Sequence, residues 1–321
     1  MGDEKILVTG GAGFIGSHLT EKLVAMGHRV VVLDNFDPFY DEKVKHKNME
    51  GYMASGMVDF VQGDIRDMDT CKKVFAEHKI TRVAHLAGKA GVRPSLEDPI
   101  VYEEVNCRGT LNLLECAKDP RVAMFVFGSS SSVYGCCPRV PFSEDDHDLV
   151  PISPYAASKL SGEAYCKTFH HLYGIPMVML RFFTVYGPRQ RPDLAISKFT
   201  RLAFNGEEIP MFGDGSTRRD YTFVSDIVQG IVAALFSSLQ CEVINLGNSN
   251  PTTLTELIDR VRTATGKELK IKPLPVQAGD VPQTYANVSK AERLLGYKPS
   301  TTTKEGVPRY VEWYRSVYGV K

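Results

Sequence analysis

A tyrosine and a lysine four positions apart, Tyr155 and Lys159, are the side chains of this sequence best suited to proton transfer. They follow Pro154 at the start of a long amphipathic segment, so both lie on one face of the predicted helix. A lysine ammonium near a phenol favours the phenolate. We therefore expect Lys159 to lower the pKa of Tyr155 and make it a general base near neutral pH. Taken alone, the same spacing is also compatible with a solvated helix face.

Hydroxyl groups precede this pair in the run Ser129-Ser130-Ser131-Ser132, which follows directly after an apolar strand. At the carboxyl edge of a parallel sheet, side chains in this position face the ligand crevice. The run is therefore expected to place hydroxyls beside Tyr155. The alternative is a polar loop that only ends the strand.

A glycine-rich segment, Thr9-Gly-Gly-Ala-Gly-Phe-Ile-Gly16, lies between the first predicted strand and the first predicted helix. That context is the one in which such a pattern predicts dinucleotide binding. One glycine allows the tight turn, another lets backbone N–H groups approach a pyrophosphate at the positive end of the helix, and Gly16 permits close helix–strand packing. The predicted contacts are Gly10, Gly13, Phe14, Ile15 and Gly16.

The second predicted strand ends on Asp34, about twenty residues further on. A carboxylate there accepts hydrogen bonds from ribose hydroxyls and repels a 2′-phosphate, so the sequence predicts NAD rather than NADP. Asp64 ends the third strand and is expected to accept a hydrogen bond from the adenine amino group, although on spacing alone it could equally cap a helix. The predicted cofactor site is completed by Asn35, Ile65 and Leu86.

The elements that position these residues are short apolar runs alternating with longer amphipathic segments. Strands are predicted at residues 5–9, 29–34, 58–62, 82–86, 124–129, 176–183 and 242–246. Near-continuous apolar strands of this kind form parallel sheets with helices on both faces. The prediction is an α/β fold with a doubly wound parallel (Rossmann) sheet and a smaller, interleaved C-terminal substrate domain. The NAD-binding domain is assigned to residues 1–185 plus about 224–248, and the substrate domain to about 186–223 plus 249–321.

Composition limits the remaining possibilities. The 321 residues are 43% apolar and 24% charged, as in folded globular proteins. The 38 basic and 38 acidic side chains balance, so neither nucleic acid nor a membrane is an expected partner. No apolar run is long enough to cross a bilayer and no signal-like segment opens the chain, so we expect a cytoplasmic protein. The seven cysteines are expected to be reduced structural thiols, and the adjacent Cys136 and Cys137 supply too few ligands for a metal site.

In order and spacing, the glycine segment, Asp34, the serine run and the Tyr155/Lys159 pair resemble the extended short-chain dehydrogenase/reductase family of nucleotide-sugar epimerases and dehydratases. The resemblance runs through nearly the whole chain. It implies that Ser130 hydrogen-bonds the sugar 4-hydroxyl, that Tyr155 is the base, and that Lys159 orients the nicotinamide ribose. The segment RDYTFVSD, which begins at Arg219, is similar to the family's arginine segment and implies that Arg219 binds the diphosphate.

Three segments are most similar to those of UDP-glucuronate 4-epimerases: residues 181–195, 34–41 and 89–93. Dehydratases of the family carry Thr-Asp-Glu where this chain has Ser130-Ser131-Ser132, so water elimination would lack its acid pair. The uridine-side loop, by resemblance, places Gln277 and Asp280 on the nucleotide. The resemblance implies reversible C4 epimerisation of UDP-glucuronate to UDP-galacturonate through a 4-keto intermediate, with NAD tightly bound.

The sugar carboxylate needs a site of its own. An oxidised uronate is a β-keto acid, which loses CO₂ when its C5–carboxylate bond stands perpendicular to the ketone plane. A guanidinium and hydroxyls fix a planar carboxylate. We predict that Arg191 does so together with Thr184, Ser131 and Ser132, the alternative being a surface arginine on a basic loop. Arg93 is assigned to the diphosphate and could also reach the carboxylate.

Two other enzymes would use the same Ser/Tyr/Lys set, a UDP-glucose 4-epimerase and a UDP-glucuronate decarboxylase. A non-catalytic NAD-binding sensor is disfavoured because it has no use for a tuned phenol. The predicted helices at residues 100–117 and 154–173 carry apolar positions on more than one face. The resemblance implies that they form the four-helix bundle of a homodimer, whereas the alternative is that they only cover the sheet. The expected partners are a UDP-sugar and a second copy of the chain.

Overall fold

Helices and strands alternate along the chain in the computed structural model, which describes residues 4–275 and 281–321. The first part runs β1 (Lys5–Thr9), α1 (Phe14–Ala25), β2 (Arg29–Asp34), α2 (Glu42–Met53), β3 (Val58–Gln62), α3 (Met68–His78), β4 (Arg82–His85), α4 (Val92–Glu97), α5 (Pro99–Glu103), a π-helical turn (Glu104–Arg108), α6 (Gly109–Cys116), β5 (Met124–Ser130), a 3₁₀ turn (Ser131–Tyr134) and α7 (Pro154–Tyr173). The second part runs β6 (Met177–Phe182), β7 (Thr184–Tyr186), α8 (Ala195–Asn205), β8 (Glu208–Phe212), β9 (Arg218–Arg219), β10 (Tyr221–Phe223), α9 (Val224–Leu235), β11 (Cys241–Leu246), β12 (Thr252–Thr253), α10 (Leu254–Thr265), β13 (Lys270–Leu274), α11 (Ser289–Leu295) and α12 (Thr303–Tyr318).

A seven-stranded parallel sheet in the order β11–β6–β5–β4–β1–β2–β3 forms the centre of the fold. From β1 the chain winds outwards to β3, then returns to the other side of β1 as β4. The strands are buried on both faces, as in β2, where Val31 and Val32 are at most 1% exposed. Helices α1 and α9 pack on one face and α3, α6 and α7 on the other. The predicted doubly wound sheet is confirmed, with its switch point between β1 and β4, where such folds bind ligands.

Three two-stranded sheets form from the described residues that follow β6. Strand β7 pairs with β10 and β8 pairs with β13, both in parallel, while β9 pairs with β12 in antiparallel fashion. The larger apolar cluster is continuous from Ile6 in β1 to Tyr314 in α12. Because this cluster contains residues of both predicted domains, the division into two domains stays a prediction.

The helix predicted over residues 100–117 is interrupted, which corrects the sequence prediction. The interruption is the π-helical turn, and it contains Asn106. The Asn106 side chain accepts a hydrogen bond from the backbone N–H of Lys89 at 2.8 Å and donates to the carbonyl of the same residue at 3.0 Å. The π-helical turn therefore coincides with a contact between this helix and the loop after β4, and single π-turns of this kind are frequent near functional sites.

The polarity of the helices bears on membrane association. Within residues 4–275 and 281–321, every helix is too short or too polar to span a bilayer.

Candidate active site

A cavity of about 580 Å³ opens at the carboxyl edge of the sheet, beside the ends of β1, β2, β4 and β5. Its volume lies in the usual range for ligand and cofactor pockets. It brings together all the predicted site residues that the structure describes: Gly10, Gly13, Phe14, Ile15, Gly16, Asp34, Asn35, Asp64, Ile65, Leu86, Arg93, Ser130, Ser131, Ser132, Tyr155, Lys159, Thr184, Arg191 and Arg219. Gln277 and Asp280, predicted for uridine, lie outside the described residues, and their role stays a prediction.

The glycine turn has the shape that a pyrophosphate requires. Gly10 has a φ of +72°, and a Cβ at this position would lie 2.8 Å from the backbone nitrogen of Ala87. A Cβ on Gly16 would lie 2.1 Å from the carbonyl oxygen of Gly10, so a side chain cannot be accommodated there. Helix α1 follows Gly13, and no side chain of the described residues caps it. Its first N–H groups therefore remain available for an anion.

Asp34 ends β2 on the floor of the cavity and is 7% exposed. Its Oδ2 accepts a hydrogen bond from the backbone N–H of Ala12 at 3.1 Å, and its Oδ1 accepts one from Phe36 at 2.9 Å. Burial raises the pKa of the Asp34 carboxyl, while the hydrogen bond from Phe36 and the charge of Lys45 act against the rise. These bonds tie the carboxylate to the glycine turn, which fits a dinucleotide whose pyrophosphate and ribose are held together.

Asp64, the residue predicted to contact adenine, is engaged by two side chains. Arg66 donates to Oδ1 from Nε at 3.1 Å and to Oδ2 from Nη2 at 2.8 Å, and Asn35 donates to Oδ2 at 2.9 Å. Burial alone would raise the pKa of Asp64, but the bonds from Arg66 and Asn35 outweigh it and the pKa is lowered. The helix-cap alternative is wrong, because Asp67 is the N-cap of α3.

Tyr155 and Lys159 face the cavity because α7 begins just before them. The Ser153 hydroxyl caps this helix by accepting a hydrogen bond from the N–H of Ala156 at 3.1 Å, with Pro154 in the first turn. The Ser130 hydroxyl lies close enough to the Tyr155 phenol to lower its pKa. The three side chains predicted for proton transfer are therefore adjacent at the ends of β5 and α7.

The electrostatics of Tyr155 differ from the sequence prediction. Burial raises the pKa of its phenol, while the neighbouring Ser130 hydroxyl and the nearby charge of Arg191 act in the opposite direction. Lys159 instead donates from Nζ to the carbonyl of Gly128 at 2.8 Å, and burial lowers the pKa of this ammonium to about 8. The predicted lowering of the Tyr155 pKa is therefore wrong for the structure: burial raises this pKa, and Ser130 and Arg191 only partly offset the rise.

Arg191, the predicted carboxylate ligand, lies in the cavity wall with its side chain 16% exposed. Its Nε and Nη2 donate to the two oxygens of Asp193 at 3.0 and 2.7 Å, and Nη2 also donates to the carbonyl of Ala90 at 3.2 Å. Its guanidinium lies 4.6 Å from the centre of the Phe39 ring. The alternative of a solvated surface arginine is therefore wrong for Arg191.

The other predicted substrate ligands come from separate segments of the chain. Ser131 and Ser132 lie in the 3₁₀ turn after β5, and the buried Ser132 hydroxyl has no hydrogen-bond partner among the described residues. Thr184 begins β7. Arg93 lies in α4, with its guanidinium 5.5 Å from the Phe212 ring centre, and Arg219 lies in β9. A buried hydroxyl without a partner and several guanidinium groups in one cavity suit a polyanionic ligand.

Sequence reasoning missed several residues of this cavity wall. Lys89 forms an ion pair with Asp37 at 2.8 Å, and this pair links the loop after β4 to the segment after β2. Phe39 stacks on Arg191, and Asp193 binds it. These residues belong to segments that carried the family resemblance, which was the available signal. Asn106, which binds the backbone of the wall residue Lys89, had a weaker signal, because one polar residue inside an amphipathic helix has no distinctive spacing.

The fold and the cavity define a class of protein: a dinucleotide-binding α/β enzyme with a Ser/Tyr/Lys set at the carboxyl edge of its sheet. A family model described as GDP-mannose 4,6 dehydratase matches residues 7–310. The chain therefore belongs to this family of extended short-chain dehydrogenases/reductases, as the motifs predicted. The family description does not fix the activity, since the chain has serines where dehydratases have their acid pair.

Individual relatives match almost the whole chain. The chain is 42% identical to UDP-glucuronate 4-epimerase 2 of Arabidopsis thaliana, covering 98% of this chain and 76% of the relative. It is also 42% identical to UDP-glucuronate 4-epimerase of Thermodesulfobacterium geofontis, covering 96% and 95%. A crystal structure of UDP-glucuronic acid 4-epimerase from Bacillus cereus, in complex with UDP-glucuronic acid and NAD, superimposes with a TM-score of 0.92 at 36% identity and covers 98% of this chain and 100% of that one.

Proposed function

We propose that this protein interconverts UDP-glucuronate and UDP-galacturonate by reversible epimerisation at C4, with NAD retained through the cycle. The proposal is carried by one observation: Arg191 and the Ser132 hydroxyl, which has no hydrogen-bond partner within residues 4–275 and 281–321, line the same cavity as Ser130 and Tyr155. A neutral sugar has no group that requires a guanidinium beside the proton-transfer residues. The relatives named UDP-glucuronate 4-epimerases support the same substrate.

The residues of the cavity fit NAD. The N-terminus of α1 would hold the pyrophosphate and Asp34 the adenosine ribose, with Lys159 on the nicotinamide side. NAD bound there supplies a hydride acceptor that takes hydrogen from C4 of the sugar and returns it. The Tyr155 oxygen accepts the proton of the 4-hydroxyl and later gives it back, while the Ser130 hydroxyl hydrogen-bonds the same sugar oxygen. The proton and the electron pair are both returned, so the net redox change is zero.

The raised pKa of the Tyr155 phenol favours its protonated form. That form can return a proton to the sugar oxygen, whereas removal of the 4-hydroxyl proton needs the phenolate. A phenolate with a raised pKa is a strong base, but little of it exists at neutral pH. The neighbouring Ser130 hydroxyl and the Arg191 charge increase that fraction by lowering the pKa. The position of Arg191 therefore serves the proton transfer as well as the substrate.

The carboxylate of the substrate must be fixed while C4 is oxidised. We propose that Arg191, Thr184, Ser131 and Ser132 hold it near the plane of the 4-ketone. In that geometry the C5–carboxylate bond overlaps poorly with the carbonyl π system, and CO₂ is retained. A decarboxylase would need the opposite arrangement, so these residues separate the two activities.

The direct test is incubation of the purified protein, with its bound NAD, with UDP-glucuronate, followed by proton NMR of the anomeric signals. We expect UDP-galacturonate and no pentose. A pentose with released CO₂ would indicate a decarboxylase, and conversion of UDP-glucose alone would indicate a neutral-sugar epimerase. An unchanged substrate would indicate a non-catalytic NAD-binding protein. Tyr155→Phe should abolish turnover and leave NAD bound.

We further propose a cytoplasmic homodimer. All seven cysteines are free thiols, which fits a reducing compartment. The apolar side chains Leu96 in α4 and Ile100 in α5 are 57% and 68% exposed, and both helices contact α7. Burial of this surface against a second copy would remove it from water. Light scattering should give twice the chain mass, and Ile100→Glu should give monomers; a monomeric wild type would contradict the proposal.

The two predicted domains would bind different parts of the ligands. We propose that residues 1–185 with about 224–248 bind NAD, and that about 186–223 with 249–321 bind the nucleotide sugar. Arg219, in the second set, would then meet the diphosphate across the cavity from α1.

A further inference from the structure

The bonds around Arg191 leave one of its nitrogens uncommitted. Asp193 takes the edge formed by Nε and Nη2, and the carbonyl of Ala90 takes the remaining hydrogen of Nη2. The Phe39 ring covers a face of the guanidinium. Among the hydrogen bonds of the described residues, Nη1 takes part in none. The side chain is thus restrained on two edges and one face, and its two Nη1 hydrogens remain for a ligand.

An arginine and an aspartate two residues apart also pair elsewhere, so spacing alone does not make the contact functional. Arg121 binds Asp119 through the same two nitrogens, but the Arg121 side chain is 43% exposed and that pair lies away from the cavity. Arg191 is 16% exposed, is held by a second segment through Ala90, and lies beside Tyr155. The Arg191–Asp193 and Arg121–Asp119 pairs therefore share their spacing and their hydrogen bonds but differ in burial and in the residues around them.

We propose that Asp193 is a positioning residue that fixes the Arg191 guanidinium so that Nη1 meets the sugar carboxylate in the plane required for epimerisation. This inference rests on the proposed function. Without Asp193 the guanidinium can rotate about its Cδ–Nε bond, and the carboxylate loses a fixed partner. Two consequences follow: weaker selection for acidic sugars, and a carboxylate free to leave the ketone plane.

The second consequence has a chemical signature. In the oxidised sugar the C5–carboxylate bond breaks, its electron pair enters the enolate of the 4-ketone, and CO₂ departs. A proton then adds at C5, and the hydride taken from C4 returns to give a UDP-pentose. No further oxidant or reductant is needed. Loss of positioning should therefore divert part of the turnover from epimer to pentose.

The experiment compares Asp193→Ala with Asp119→Ala, which removes the matched exposed pair. Binding of UDP-glucuronate and UDP-glucose is measured by calorimetry with the NAD-loaded protein in a Tyr155→Phe background, so that no turnover occurs. We expect Asp193→Ala to weaken UDP-glucuronate binding by roughly 10- to 100-fold, the range for a lost charged hydrogen bond, and to change UDP-glucose binding by less than about threefold. Asp119→Ala should leave both unchanged. With Tyr155 present, Asp193→Ala should release ¹⁴CO₂ from UDP-[¹⁴C]glucuronate labelled in the carboxylate.

Equal losses for both sugars, or no loss, would overturn the positioning role. In an Arg191→Leu background, Asp193→Ala should have no further effect on the ratio of the two affinities, because Asp193 acts only through Arg191. A further loss there would also overturn it. The binding ratio does not depend on turnover, so a wild type that fails to epimerise would refute the proposed function while the role of Asp193 is still decided.

Discussion

Replacing His85 by glutamine should make the folded protein less sensitive to acid. His85 ends β4 beneath the glycine turn and is 1% exposed. Its Nδ1 lies 2.8 Å from the Thr9 hydroxyl, and its Nε2 lies 2.9 Å from that of Thr110. The Thr110 hydroxyl donates its own proton to the carbonyl of Asn106 at 2.6 Å, so it accepts from Nε2–H, and Nδ1 accepts from Thr9. The ring is satisfied in its neutral form, and burial lowers its pKa to about 3.

The sign and size of the effect follow from the two pKa values. In the unfolded chain His85 has its ordinary pKa of 6.5, so that state takes up a proton below this pH while the folded state stays neutral down to about 3. Its contribution is therefore fully present above pH 6.5 and is lost as the pH falls. The slope is about 1.4 kcal/mol per pH unit for one proton, which amounts to about 2 kcal/mol lost at pH 5.

Urea unfolding of the wild type and His85→Gln between pH 5 and pH 8 measures this loss. Glutamine can accept from Thr9 and donate to Thr110, but it does not titrate. Near pH 8 the free energies of unfolding of the two proteins should differ by a constant amount. Below pH 6.5 this difference should shrink by about 1.4 kcal/mol per pH unit, because only the wild type loses stability through His85. Parallel curves over the whole range would refute the assignment of a buried neutral His85.

Three further predictions concern the core, the cofactor and the base. Glu163→Ala should cost about 3–5 kcal/mol in urea unfolding, because Arg181, 2% exposed and paired with Glu163 at 2.8 Å, would keep a buried charge without its partner. Asp34→Asn should raise the affinity for NADP relative to NAD at least fivefold, about 1 kcal/mol, when both are titrated by fluorescence, because a charge that repels the 2′-phosphate is removed. In pH–rate profiles with UDP-glucuronate, the ascending limb of kcat should lie at higher pH than the ascending limb of kcat/KM. Limbs that coincide would argue against a contribution of Arg191 to the pKa of Tyr155.

The central sheet could be predicted closely because its strands are buried on both faces. Every one of the seven predicted strands ends within one residue of the observed bounds. Continuous apolar runs such as Val30–Leu33 leave no alternative face for solvent, so hydrophobicity alone locates them. Helix α2 was not predicted, because its buried face is small and includes Lys45 and Asn48, whose polarity hides the pattern.

The residues that line the site could be predicted from the sequence, but their hydrogen bonds and pKa shifts could be predicted less well. Spacing placed Tyr155 and Lys159 on one helix face, but it could not show that the Lys159 ammonium would donate to the carbonyl of Gly128 in strand β5. The pairing of Arg191 with Asp193 depends on the conformation of one loop, and the bond to Ala90 depends on a segment about a hundred residues away. Contacts of this kind arise from tertiary packing, which periodicity does not encode.

The same guanidinium is close to the base and to the proposed carboxylate site, and this links substrate binding to proton transfer. In the free protein the charge of Arg191 lowers the pKa of Tyr155 against the effect of burial. When a carboxylate binds Arg191, it brings a negative charge to the same place, and the lowering is partly cancelled. The base is then stronger but less ionised, so kcat/KM, which reports the free protein, and kcat, which reports the complex, should titrate differently. A neutral sugar brings no such charge, and its two limbs should coincide. The carboxylate therefore changes the strength of the base that takes the proton of the 4-hydroxyl on the neighbouring carbon, an effect that a simple anchor would not produce.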